Sequence, residues 1–245
     1  MTDQRTILRI TGDDRVGFLQ GLVTNDIDRL SEGLVYTALL TPQGKLIVDF
    51  FLQAEGDAIL LDVASDQAAA LFQRLSMYKL RSAVEIAETG LVVSRGVGPA
   101  PEGALPDPRH PGMGWRLIDE TDLSEEIDWD ALRVEHVIPE LGIEMSSDSF
   151  PLEVGLDRLS GVDFRKGCYV GQEVTARMKH KTELRKGLVQ VRIEGVAPLG
   201  TPLMAGEKPA GTLYTQAGGK ALAYLRFDRV KEPMQAGDAT VTWTP

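Results

Sequence analysis

Apolar residues recur along the first hundred positions in two rhythms, alternation and helical spacing, separated by polar turns. Residues 5–10 alternate as a strand, and Val16, Leu19, Leu22 and Val23 then fall at helical spacing behind Asp13 or Asp14, either of which can cap a helix ending near Asn25. Three strands are predicted at 34–41, 45–53 and 57–63. Between them, Thr41-Pro42-Gln43-Gly44 places Pro and Gly where a tight turn needs them, and Glu55-Gly56-Asp57 closes the next hairpin. This is the pattern of an antiparallel meander. Ser65 opens a helix bearing Ala68, Ala69, Leu71, Phe72, Leu75 and Tyr78, after which 83–87 and 91–94 read as strands. Helices interleaved with antiparallel hairpins predict the α+β class.

Residues 95–114 hold five Pro and five Gly without apolar periodicity, so they are expected to form an extended loop joining two α+β halves. The second half begins with a strand from Trp115 to Asp119. A helix from Trp129 to Ile138 follows, capped by Asp128 and stopped near Pro139, with a further helical stretch around 151–159. From Gly187 the pattern changes to short strands broken by Gly and Pro, at Gly187–Glu194, Ala210–Thr215, Lys220–Phe227 and Ala239–Trp243. The domain organisation predicted is therefore 1–186 followed by a small β-barrel over 187–245.

Composition narrows the function classes. No run approaches the roughly 18–20 apolar residues of a membrane-spanning helix, and Met1-Thr2-Asp3-Gln4-Arg5 leads directly into a strand, so a soluble, cytoplasmic protein is expected. A single cysteine excludes an intramolecular disulfide and any site built from several thiolates of one chain. His110, His136 and His180 lack close ligand spacing, so no protein-only metal site is expected. A net charge of −10 argues against bulk attraction to nucleic acid or anionic membrane. Residues 165–186 run the other way, with seven Lys/Arg against two Glu, and could draw an anionic ligand.

Cys168 is the first candidate for chemistry, because the thiolate is the reactive form and cations favour it. Arg165 and Lys166 precede it, and in an extended backbone Lys166 and Cys168 share a face. Gly167 and Gly171 would let the backbone turn or approach a ligand closely. The alternative is a small buried hydrophobe. Asp49 is the second candidate: it interrupts a strand apolar on both faces, and a buried carboxylate needs a partner. That partner would be either a ligand presenting two donors or an arginine such as Arg81 or Arg116. Asn25 near the end of the first helix offers an amide, or is simply a helix C-cap. Glu173 and Arg177, four apart, could form an ion pair with each other. Phosphate loops, nucleophile elbows and paired metal-ligand motifs are missing from the sequence.

Lys166-Gly167-Cys168-Tyr169-Val170-Gly171-Gln172-Glu173 resembles the K-G-C-[FY]-x-G-Q-E signature of the YgfZ family, and Val174-Thr175-Ala176-Arg177 continues it. Phe18–Asp26, Leu40–Lys45 and Tyr78-Lys79-Leu80-Arg81 are similar to motifs that this family shares with the glycine-cleavage aminomethyltransferase. The resemblance implies a GcvT-like folate-binding domain of antiparallel sheets with helices, followed by a C-terminal β-barrel. It also implies tetrahydrofolate or a derivative as ligand, and iron–sulfur client or assembly proteins as partners. Carried over by position, Asn25, Asp49, Arg81, Trp115, Glu173 and Arg177 would bind folate, and Lys166 and Cys168 would carry the chemistry. The aminomethyltransferase usually has two adjacent acids where this chain reads Val48-Asp49-Phe50. An accessory role in iron–sulfur maturation is therefore expected ahead of the alternative, folate-dependent one-carbon transfer.

Overall fold

Alternation builds strands close to where it predicts them. In a computed structural model describing residues 4–181, 183–231 and 233–244, the first half forms β1 (Arg5–Thr11), α1 (Arg15–Gln20), β2 (Val35–Leu40), β3 (Leu46–Glu55), β4 (Ala58–Ala64), α2 (Ser65–Lys79) and β5 (Glu85–Glu88). The five strands make one antiparallel sheet in the order β2-β3-β4-β1-β5. Its register places Tyr36 opposite Phe51, Phe51 opposite Asp62 and Asp62 opposite Ile7. Side chains two apart on a strand share a face, so Asp49 and Arg5 lie on that same face. Every residue of β2 is buried, and β4 is buried up to its last residue, so both faces of the sheet's middle are covered.

The covering element on the polar face comes from the proline-rich stretch. After β6 (Val92–Gly96), the expected loop contributes the short strand β7 (Leu105–Pro106), and together with β8 (Trp115–Asp119) it forms a three-stranded sheet in the order β6-β8-β7. The Arg116 guanidinium lies 4.1 Å over the Phe51 ring and pairs with Asp62. Residues 95–114 therefore do not bridge two halves; they lie inside one unit, Met1–Ile127 with Asp157–Gln172.

The second unit takes in Asp128–Leu156 and Glu173–Pro245, so the boundary is not the single one expected at 186/187. Buried carboxylates explain why 128–156 go with the barrel. Glu144 pairs with Arg133 on α3 (Trp129–His136) and accepts a hydrogen bond from Thr215, while Glu153 accepts from Tyr224. Arg133 and the Glu140 amide satisfy one oxygen of Glu144, but its other oxygen and the Glu153 carboxylate take their hydrogen bonds from barrel strands. Beyond α4 (Gln172–Lys181) come β9 (Lys186–Glu194), β10 (Pro202–Ala205), β11 (Lys208–Ala217), β12 (Lys220–Arg226), β13 (Met234–Ala236) and β14 (Ala239–Thr242). They close in the order β10-β11-β12-β9-β14-β13 around Leu203, Leu213, Leu225, Met234 and Val241.

Two helices depart from the pattern. α1 stops at Gln20, five residues short of Asn25, and Asp14 accepts from the Ala83 amide at 2.7 Å instead of capping it. The stretch 151–159 forms turns, with Pro151 at its start and Gly155 at φ +77°.

Candidate functional site

The signature motif runs through a bend, not a strand, and this separates its two chemical residues. Around 164–166 the backbone turns, with the Asp163 carboxylate accepting from the Arg165 amide at 2.6 Å and the Lys166 amide at 3.2 Å. Lys166 is thereby turned inward and buried, and Cys168 is exposed. The Lys166 ammonium donates to the carbonyls of Gln20, Val23 and Asn25 at 2.9, 2.5 and 2.9 Å, and lies 5.0 Å over the buried Tyr169 ring. Burial lowers the Lys166 pKa to about 8, against the opposing pull of Asp26 and Asp163. Its three donors are committed to backbone, so the expected shared face with the Cys168 thiol is not formed.

Asn25 is likewise engaged. Its side-chain amide donates to the carbonyls of Tyr36 at 2.8 Å and Ser160 at 2.6 Å, and its Oδ1 accepts from the Asp26 amide. Thr24 donates to Gly161. The Thr24-Asn25-Asp26 motif and the signature segment are thus laced together within one unit. Gly171 closes the far end of the loop. At φ +84°, its α-carbon sits so close to the Thr41–Gly44 turn that a β-carbon would fall 2.6 Å from the Thr41 carbonyl oxygen and 2.9 Å from Leu40 Cβ. All three motifs therefore converge to hold one exposed cysteine.

The same unit carries a second constellation on the polar face of the five-stranded sheet. Tyr36 donates its hydroxyl to Asp49 Oδ2 at 2.9 Å, and burial, then the Asp49 charge, raises the Tyr36 pKa well above its ordinary value, so the phenol keeps its proton. The half-buried Asp49 is thereby anchored through Oδ2, and among the described residues no hydrogen bond engages its Oδ1. Arg109 packs 4.8 Å over Phe51 and 5.6 Å over Tyr36, with Nε and Nη2 on Asp107 and, among the described residues, no hydrogen bond from Nη1. The Asp62 carboxyl is disfavoured as an anion by burial, yet Arg116 and Arg5 outweigh that and hold its pKa below the ordinary carboxylate value. Asp49 has its partner in Tyr36, and the arginine pairing considered for it with Arg81 or Arg116 is not made.

The remaining predicted residues lie elsewhere. Arg81 is exposed on the turn after α2. Trp115 is buried over Gly96 on the face of β8 opposite Arg116, and among the described residues its indole N–H has no acceptor. Glu173 and Arg177 belong to the second unit and form an exposed i,i+4 ion pair at 2.8 Å. Tyr36, Asp62, Asp107 and Arg109 were not singled out from sequence. Asp62 carried a usable signal, a lone acid within the apolar run Ile59–Val63, the same oddity that marks Asp49. Among the described residues, no group of three or more His, Cys, Asp or Glu side chains could hold a metal ion, and no helix is long and apolar enough to cross a membrane.

Comparison with known proteins extends the picture. The model of the CAF17 C-terminal beta-barrel domain matches residues 185–245. The chain is 31% identical over 280 aligned positions to the mitochondrial iron–sulfur cluster assembly factor IBA57 of Mus musculus, covering 95% of this chain and 78% of that protein. The Homo sapiens protein matches at 30% over 278 positions with the same coverage. The mitochondrial IBA57 homolog of Neurospora crassa matches at 33% over 236 positions, 79% of this chain and 54% of that one, so the chain spans about half the length of this fungal relative. Among solved structures, the glycine cleavage system aminomethyltransferase T of Bartonella henselae superposes with a TM-score of 0.76 over 97% of this chain and 81% of its own, at 14% identity. The fold is thus GcvT-like with a C-terminal β-barrel, as the motifs imply. The cytoplasmic location is corrected: the fungal and mammalian relatives are named as mitochondrial. A targeting segment is an address separate from the fold, so the first residues carry no weight against those names.

Proposed function

This chain belongs to the IBA57 family of iron–sulfur cluster assembly factors, and from that membership we propose that it is a tetrahydrofolate-binding accessory protein for the maturation or repair of iron–sulfur proteins, with Cys168 as its reactive thiol. The observation that carries the proposal is the display of Cys168: an exposed thiol on a loop pinned by Lys166 on one side and Gly171 on the other. Thiolates are the usual ligands of iron–sulfur clusters, and a chain with one cysteine supplies one thiolate only. The cluster is then cargo handled jointly with the thiols of a client or assembly partner.

The Asp49 constellation suits the folate part of the proposal. Asp49 Oδ1 can accept hydrogen bonds and Arg109 Nη1 can donate one, a pairing that matches the amino-pyrimidinone edge of a pterin, which offers N–H groups beside a carbonyl. Asp49 and Arg109 would hold that ring, with Tyr36 and Asp107 fixing their orientation. Tetrahydrofolate, when bound, supplies a reduced ring able to carry one-carbon units. Asn25 acts in this scheme as a brace between the Tyr36 strand and the Cys168 loop, its donors being spent on backbone. Trp115, Arg81, Glu173 and Arg177 are not assigned to the ligand.

The test is complementation. In a strain lacking its IBA57-family protein, Cys168→Ala is expected to express and melt as wild type yet leave iron–sulfur enzyme activity at the deletion level, measured per unit of client protein. Full rescue by Cys168→Ala would remove the thiol from the function.

A further inference from the structure

The three carbonyls around Lys166 form a cation cage that exists for reasons of its own. Gln20 ends α1, where helix carbonyls have no partner further along the helix. Val23 and Asn25 follow it, and both are buried. Each cage residue is fixed independently. The Gln20 side chain donates to Asp26 at 2.8 Å and accepts from the Ile27 amide at 3.0 Å, Val23 bridges to Leu39 and donates its amide to the Leu19 carbonyl at 3.0 Å, and Asn25 is held by Tyr36 and Ser160. Asp26 and Asp163 add negative field. The cage is therefore preorganised to take a positive N–H donor, and its occupant is attached to residue 166, two positions before Cys168.

We infer that Lys166 is the positioning residue of the Cys168 loop, acting as a tethered cation in a backbone-carbonyl cage that a small free ammonium ion can fill once the tether is removed. This rests on the proposal that Cys168 is the working thiol, but the cage itself is tested without any cluster or folate readout, so the two can fail separately. Lys166 thus has a different task from activating the thiol. Its charge is spent inward, and what it gives Cys168 is a fixed place.

Hydrogen exchange and amine labelling decide the matter. In wild type, reductive methylation of Lys166 is expected to be at least about tenfold slower than that of the exposed Lys181 and Lys208, since it requires local opening. Equal rates would overturn the cage. In Lys166→Ala, which loses all three of these hydrogen bonds, amides of residues 163–171 are expected to exchange at least about tenfold faster, the factor that the loss of even one hydrogen bond to a charged group corresponds to. Methylammonium should restore slow exchange, and tetramethylammonium, which has no N–H, should not. In Lys166→Met the side chain fills the path without charge, so exchange should stay fast with either ion. Unchanged exchange in Lys166→Ala, equal rescue by both ions, or global unfolding of Lys166→Met would each overturn the proposal, the last by making Lys166 a stability residue only.

Discussion

Asp62→Ala is expected to destabilise the first unit by about 3–5 kcal/mol, the usual cost of breaking a buried ion pair from one side, with a fall in melting temperature on the order of 10 °C. Asp62 is 1% exposed and holds two arginines, Arg5 at 2.5 Å and the fully buried Arg116. Without it, Asp107, 3.7 Å away, is the one anionic partner left to Arg116 among the described residues. Burial already lowers the Arg116 pKa to about 10, a measure of how poorly the site tolerates its charge. Replacing both buried partners by apolar residues, Asp62→Leu with Arg116→Met, should recover part of the loss, because the fully buried Arg116 charge is then not left alone, while the part-buried Arg5 keeps the residue 62 main-chain carbonyl. The pH dependence has a definite sign. The folded Asp62 pKa is lowered, so its contribution is fully present above the unfolded value of about 3.9 and is lost as pH falls through the folded value. Calorimetric unfolding between neutral pH and about pH 3 checks this. A loss under about 1 kcal/mol for Asp62→Ala, in the range of surface pairs, would contradict the account of the polar face.

Gly171→Ala should damage function as severely as Cys168→Ala does, and Gly167→Ala should do almost nothing. A β-carbon at Gly171 meets the Thr41 carbonyl at 2.6 Å and must also adopt φ +84°, a conformation costing roughly 1–3 kcal/mol for a residue with a side chain. The loop can relieve the contact only by lifting from the turn on which it is seated, carrying Cys168 with it. Gly167 has no heavy atom within 4 Å of where its β-carbon would stand, and its stability change should fall within about 0.5 kcal/mol. Both variants can be read in the complementation assay and by melting. A harmless Gly171→Ala would show that the loop is not held by this seat.

The contrast between the two glycines also marks how far the sequence could be read. Both looked equally permissive as residues flanking a cysteine, but only the fold reveals that one of them touches a turn 130 positions earlier in the chain. Strands were legible because alternation and turn chemistry act locally, so β1 to β4 fall within two residues of expectation. Short elements that depend on their neighbours were not. β7, β10 and β13, of two, four and three residues, have too little sequence to show a period. Lys166 was found, but given the wrong neighbour, because period-two reasoning holds only for extended backbone and Asp163 folds this segment into a bend. Asp49 reads from sequence as needing a ligand or an arginine such as Arg81 or Arg116, and its Tyr36 partner is missed because Tyr36 lies on another strand and reads as core. Arg109 sits in a stretch without periodicity, where nothing in the local pattern points to a place over Phe51.

The claim that most needs a direct measurement is that this chain binds tetrahydrofolate through Asp49. Calorimetric titration of tetrahydrofolate into the purified chain, and into Asp49→Ala shown to melt as wild type, measures it. Saturable binding to the wild type that Asp49→Ala abolishes is the predicted result. Equal binding to both proteins, or none to either, would contradict it.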